Sequence, residues 1–322
     1  MTERRPSPEG VRAAAKRVAP YVTRTPLLPL EWEGGRVWVK AECLQRGGSF
    51  KLRGAFNRLL QLSESQRERG VVAFSSGNHA QGVALAARAL GLEATIVMPA
   101  DAPAVKRDAT LAAGARIVAY DRVTESREEI GARLAAEKGC VLVPSFDDVD
   151  VIEGQGSAGI EIGEQLGNPP DKVLVPCGGG GLSAGIALAL PDAEVVTVEP
   201  QGWDDMARSI AAGTPLPIEE PAPATLCDAL QTKLVSPLTL DALRASGARG
   251  VSVTEDEVRL AMAYAARHLR IVAEPGGAVA LAALLAGKAG PATERTVVVV
   301  SGGNVDPALY AEILAAQAAR TS

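Results

Sequence analysis

The chain has 322 residues, a formal net charge of −5 and only 3% aromatic residues. That length exceeds what a single hydrophobic core usually serves, so two folded units are expected, with cores built from Ala, Val, Leu and Ile. The acidic balance, with a pI near 5.3, and the lack of a basic run interleaved with aromatics argue against a nucleic-acid surface, and no 18-residue apolar run offers a membrane span.

The polar start, Met1 to Pro6, has no apolar leader, and the reading is a cytoplasmic protein that binds small molecules. Cys43, Cys140, Cys177 and Cys227 lie far apart without a C-x-x-C pair and read as small buried apolar residues. Two histidines, His79 and His268, leave little for a histidine-based zinc site.

Residues 8–20 have the spacing of an amphipathic helix, with Val11, Ala14, Ala15 and Val18 on one side and Arg12, Lys16 and Arg17 on the other. Arg24 to Pro29 reads as a break. A short strand, Val37 to Lys40, then feeds the loop Gly47-Gly48-Ser49, and a helix runs on to about Leu62 with Lys51 at the junction. From Gly70 the chain alternates: strands at 71–74, 94–98, 116–119 and 140–143, helices at 79–90, 102–113 and 124–138.

A second α/β run follows, with helix 151–166, strand 172–175, helix 182–190 and strand 194–198. The proline-rich stretch 213–223 is a surface connection. Helices at 237–245, 255–269 and 276–285, a strand at 296–300 and a helix opening at Pro307 complete the chain. Consecutive strands joined by helices cannot pair as hairpins, which predicts parallel sheets with right-handed crossovers. The expected fold is α/β, with two doubly wound units of unequal size. A large unit takes 1–70 and 148–322, and a small one, 71–147, is inserted in it.

Three strand-to-helix turns carry chemistry beside Lys51. Gly178-Gly179-Gly180-Gly181-Leu182 lies between a buried strand and an apolar helix, where several N–H groups and the helix terminus converge on one anion. Its spacing is neither a P-loop nor G-x-G-x-x-G, which disfavours ATP and NAD. Ser75-Ser76-Gly77-Asn78-His79 and Ser301-Gly302-Gly303-Asn304 repeat the arrangement after two other strands, at the end where open α/β sheets bind ligands. A lysine held at a loop–helix junction among them suits a Schiff base.

The set Ser49-Phe50-Lys51-Leu52-Arg53-Gly54-Ala55, Ser75 to Gly82, Gly178 to Gly181 and Ser301 to Asn304 resembles the fold type II pyridoxal phosphate enzymes (the tryptophan synthase beta-like fold), in the threonine/serine dehydratase and serine racemase group. The resemblance implies that Lys51 carries pyridoxal 5'-phosphate and removes the Cα proton. It further implies that Phe50 lies by the cofactor, Asn78 meets the ring hydroxyl, Gly178, Gly179, Gly180, Gly181 and Leu182 hold the phosphate, and Ser301 faces the ring nitrogen. Ser75, Ser76, His79, Arg127 and Thr232 would hold an amino-acid substrate. Ser76, on the face opposite Lys51, could return a proton as in racemases.

Glu199, Trp203 and Asp205 resemble the racemases' divalent-cation loop, which would take Mg²⁺ or Ca²⁺ on hard oxygen ligands. Ala229 departs from the family, which usually has glycine after the aspartate of Thr225-Leu226-Cys227-Asp228. The implied activity is β-elimination from L-threonine or L-serine to a 2-oxo acid and ammonia. A serine racemase, or a dehydratase of hydroxyaspartate or an aryl-serine, is the alternative, and a homodimer rests on the same resemblance.

Overall fold

The computed structural model describes residues 4–75, 77–102 and 104–319. Helix α1 (Pro8–Val18) starts as its sequence directs: the Ser7 hydroxyl accepts from the Gly10 N–H and proline takes the first turn, where a missing N–H costs nothing. Strands β1 (Leu27–Trp32) and β2 (Gly35–Ala41) form an antiparallel hairpin, followed by α2 (Lys51–Leu60) and α3 (Glu64–Arg69). Next come β3 (Val71–Phe74), α4 (Asn78–Ala89), β4 (Ala94–Pro99), α5 (Ala104–Ala112), β5 (Arg116–Tyr120), α6 (Arg127–Lys138) and β6 (Val141–Leu142).

The chain continues through α7 (Val149–Gln155), α8 (Ser157–Leu166), β7 (Lys172–Pro176), α9 (Gly181–Ala189), β8 (Glu194–Pro200) and α10 (Asp205–Ala212). It ends with α11 (Pro237–Ala245), β9 (Arg249–Val253), α12 (Glu255–Tyr264), α13 (Pro275–Leu285), β10 (Thr296–Val300) and α14 (Pro307–Ala319).

Among the described residues these strands make two sheets. One, in the order β5-β4-β3-β6, is parallel throughout, and the other, β1-β2-β10-β7-β8-β9, is parallel apart from its hairpin. Val173 to Val175 and Val297 to Val300 have no accessible surface, which is why the central strands read as unbroken apolar runs.

The strands that the sequence pattern did not announce, β1 and β9, are the two edges of the six-stranded sheet. Pro29 is exposed on β1, an edge position that tolerates its missing N–H, so a stretch read as a break is a strand. Helices α3 and α10 were not anticipated either. No residue of α3 is buried, and it is held by the Ser63–Gln66 capping box rather than by an apolar face. The expected helix 151–166 is two helices divided at Gly156, and the one expected to reach Leu269 ends at Tyr264 and continues as a π-helical turn, Ala265–Leu269.

Helix α2 packs against both α4 and α7, so it sits between the two sheets. Its underside is ionic: Arg53, fully buried, donates to Glu42 at 2.8 Å and to Glu161 at 2.7 and 2.8 Å. Lys40, also fully buried, donates to Glu161, Gln165 and the Thr25 carbonyl. Burial alone would raise the Glu42 carboxyl, but Arg53 holds it below the ordinary carboxylate range. The loops after the adjacent parallel strands β2 and β10 are zipped together: the Phe50 N–H donates to the Ser301 carbonyl at 3.1 Å and the Gly303 N–H to the Gly48 carbonyl at 2.9 Å. Gly47 and Gly48, at φ +78° and +72°, supply the left-handed turn that brings the chain back to start α2.

Candidate functional site

Lys51 is the first residue of α2. Its Nζ donates to the Ser145 carbonyl at 2.9 Å and lies 5.1 Å from the centroid of the Phe50 ring. Burial pulls the amine down to about 8, against the pull of the Glu274 carboxylate in the other direction, which brings the neutral, nucleophilic form within reach at physiological pH.

A cavity of about 680 Å³ opens from Lys51 between the two sheets, bounded by Ser75, His79, Arg127 and Thr232. A narrow extension of about 70 Å³ runs from Lys51 and Asn78 to Phe50, Leu182, Ser301 and the loop Gly178 to Gly181. Every sequence-derived candidate for cofactor and substrate contact that falls on described residues lines one space or the other. Ser76 lies outside the described residues.

The glycine loop is built for close approach. Gly180 has φ +84°, and a Cβ there would stand 2.4 Å from Met206 Cε; at Gly179 it would stand 2.3 Å from the ring of Phe146. The loop ends where α9 begins, at Gly181, so bare N–H groups and a helix terminus face the narrow space.

On the other wall, the Ser75 hydroxyl accepts from the Gly77 N–H at 3.1 Å. Nε2 of His79 bonds the Val143 carbonyl at 2.8 Å, and its buried Nδ1 has no partner. Burial, with Lys51 adding to it, pushes this imidazole down to about 3, so it is neutral and Nδ1 is an acceptor. Arg127 opens α6 with its side chain 46% exposed, donates through Nε to Glu128 at 2.8 Å and lies 5.6 Å over the Phe74 ring.

Sequence reasoning missed several lining groups, among them Glu274, Phe146 and Lys106. The buried Glu274 carboxylate accepts from Asn78 Nδ2 at 2.6 Å, and Asn78 Oδ1 in turn accepts from Asn304 at 2.8 Å. Burial raises Glu274 to about 8. Its only sequence signal is a carboxylate just before Pro275-Gly276-Gly277, at the entrance to a helix. Ala229, the departure from the family pattern, lines both spaces.

The proposed cation loop lies elsewhere. Glu199, Trp203 and Asp205 line neither space, and among the described residues no group of three or more His, Cys, Asp or Glu could hold a metal. Glu199 accepts from the N–H groups of Met206 and Ala207 at 2.9 and 2.8 Å, and Trp203 donates its indole N–H to the Pro223 carbonyl. Both carboxylate oxygens of Asp205 are buried without a partner. Burial raises Glu199 well above the carboxylate range and Asp205 to about 7.

The family described as pyridoxal-phosphate dependent enzyme matches residues 18–302. The chain belongs to that family. It is 45% identical over 309 residues, 94% of this chain and 96% of the relative, to an L-threo-3-hydroxyaspartate ammonia-lyase of a Pseudomonas species. It is 37% identical to a serine racemase of Schizosaccharomyces pombe, over 96% of this chain and 97% of that one. Maize serine racemase has the same fold, with a TM-score of 0.89 at 35% identity, covering 99% of both chains. The side chains present fit pyridoxal phosphate: a lysine with a lowered pKa stands beside an anion cradle that an added Cβ would fill. Among the described residues no helix is long and apolar enough to cross a membrane.

Proposed function

We propose that this enzyme is an ammonia-lyase of β-hydroxy α-amino acids, with 3-hydroxyaspartate as its favoured substrate. The observation that carries the reading is the placement of Lys51, a buried amine of lowered pKa between a glycine cradle and an open cavity lined by charged side chains of both signs, Arg127 and Lys106 among them. Threonine and serine come first on motif alone. The 45% identity to a hydroxyaspartate ammonia-lyase, with Arg127 and Lys106 both among the charged groups of the cavity, moves the dicarboxylic substrate ahead of them.

Lys51 would hold the cofactor, with Gly178 to Gly181 and Leu182 at its phosphate, Phe50 beside it, Asn78 at its ring hydroxyl and Ser301 at its ring nitrogen. When bound, that group supplies a sink for the electron pair left at Cα. Neutral Lys51 then takes the Cα proton, while Ser75, His79, Thr232 and Arg127 orient the α-carboxylate. Glu274 fixes the Asn78 amide from one side and Asn304 from the other, so the ring contact is set before substrate arrives. The Ser301 hydroxyl cannot keep a ring nitrogen protonated as a carboxylate would, which favours prompt loss of the β-hydroxyl as water. Hydrolysis of the resulting enamine yields a 2-oxo acid and ammonia.

Holoenzyme given L-threo-3-hydroxyaspartate is expected to release oxaloacetate and ammonia. Release of no 2-oxo acid from hydroxyaspartate, serine or threonine would overturn the reading.

Serine racemisation is a second activity favoured by the serine at position 76 and by the racemase relatives. Chiral analysis after incubation with L-serine decides it: D-serine that forms in the wild type and not in Ser76→Ala supports it, and no D-serine removes it. We further propose Mg²⁺ or Ca²⁺ at Glu199 and Asp205, with the Trp203 carbonyl, because Asp205 offers two buried oxygens that nothing else satisfies.

A further inference from the structure

Two cations reach the cavity from opposite faces of the four-stranded sheet. Helix α6 packs on β3, β4 and β6, while α5 packs on β5 and, through α4, on the other face. Arg127 comes from the first turn of α6 and Lys106 from the first turn of α5, and both line the same space. Lys106 is paired with Asp228, which stands on the short turn Asp228–Leu230 of the opposite wall. The ammonium therefore spans the cleft between the two sheets, with its side chain 25% exposed. Its charge and that of Asp228 both act on buried Glu274, the carboxyl beside Lys51, so the pair stands close over the site of chemistry.

As a structural tie this pair accomplishes little. Asp228 is half exposed, and ion pairs open to solvent contribute marginally to stability. As part of a binding site its position has a use. An amino acid with one carboxylate needs one anion subsite, which in the reading above Arg127, Ser75, His79 and Thr232 supply. A second carboxylate on Cβ needs a second donor group, or its desolvation goes uncompensated.

We propose that Lys106 is the specificity residue for that second carboxylate, and that Asp228 holds the ammonium over the cleft and competes with the substrate for it. The proposal rests on the ammonia-lyase reading and names the group that selects a dicarboxylic substrate at the same site. Ala229, next to Asp228, narrows the same wall by one methyl relative to glycine, without adding charge.

The test compares kcat/KM for L-threo-3-hydroxyaspartate and for L-serine in the holoenzyme. Loss of one charge-assisted contact is expected to lower the hydroxyaspartate-to-serine ratio by about 10- to 100-fold in Lys106→Gln. Lys106→Arg should keep most of the ratio, and Asp228→Asn, which frees the ammonium, should raise it. An equal fall for both substrates, or an unchanged ratio, overturns the proposal, the former making Lys106 a bridge between the walls and no more.

A second readout does not depend on turnover. Holoenzyme titrated calorimetrically with succinate and with butyrate should prefer the dicarboxylate, and Lys106→Gln should erase most of that preference. If the wild type turns over neither amino acid while the succinate preference depends on Lys106, the lyase reading fails and the subsite stands. If turnover occurs and neither ratio responds to Lys106, the subsite fails and the lyase reading stands.

Discussion

The two walls of the cleft are made differently. The wall from the six-stranded sheet offers backbone and buried groups: the Gly178 to Gly181 loop, Ser301 at 4% exposure and Glu274 at 4%. The wall from the four-stranded sheet offers side chains at helix starts, with Asn78 and His79 buried at the start of α4, and Lys106 and Arg127 nearer solvent at the starts of α5 and α6, each paired to a carboxylate. Buried backbone has one geometry and suits a group that is always the same. Exposed side chains at helix starts can be exchanged without disturbing a core, and suit the part that differs between related substrates.

Variants can break or sharpen that contrast. Lys51→Ala should reduce ammonia release by roughly 10⁴-fold or more and abolish the visible absorbance of the reconstituted protein. Retention of either would remove Lys51 from the centre of the account.

Arg53→Met tests the support beneath the rigid wall. It strands Glu42 without its buried ionic partner and leaves Glu161 to Lys40 alone, at about 3–5 kcal/mol, read as a lowered Tm of the apoprotein and a smaller unfolding midpoint in urea. A change under 1 kcal/mol would mean that the network does not hold α2 in place.

Arg127→Ala tests the exposed wall. KM for the amino acid should rise about 10- to 100-fold, the size of a lost charge-assisted contact, while the Kd for pyridoxal phosphate stays within about twofold. A parallel loss of cofactor affinity would erase the division between the walls.

The rate at which the apoprotein captures pyridoxal phosphate reports on burial at Lys51. A depressed amine is disfavoured in its charged form, so the neutral fraction climbs through pH 8: capture should rise about fivefold between pH 7 and 8 and level off above pH 9. An ordinary lysine would keep gaining to about pH 10.

The smallest effect concerns the Asp205 pair, which lies outside both walls. Millimolar Mg²⁺ or Ca²⁺ should raise Tm by a few degrees, on the order of RT ln(1 + [L]/Kd), and Asp205→Asn should remove the increment. An equal increment in the variant would place the ion elsewhere.

How much of this was legible in the sequence follows the same contrast. The lysine loop and the glycine loop announce themselves, because four successive glycines at a turn between valines and an apolar helix cost much chain entropy to order, which points to a bound anion that offsets it. The central strands were legible as unbroken apolar runs. The edge strands β1 and β9 were not, since an edge needs only one buried face and accepts Pro29 or Gly250.

Glu274, Phe146 and Lys106 were silent because each is one side chain delivered by tertiary packing, with no local pattern around it. Glu199 shows the limit of a motif. A carboxylate spaced for a cation also receives two N–H groups of α10, a use the spacing does not reveal.

The most direct measurement is oxaloacetate release from L-threo-3-hydroxyaspartate by wild type, Lys51→Ala and Arg127→Ala, with pyridoxal phosphate content determined on the same samples. The account predicts turnover by the wild type, none by Lys51→Ala, and full cofactor content with turnover only at raised substrate in Arg127→Ala. It is contradicted if the wild type releases no oxaloacetate, or if Arg127→Ala loses its cofactor.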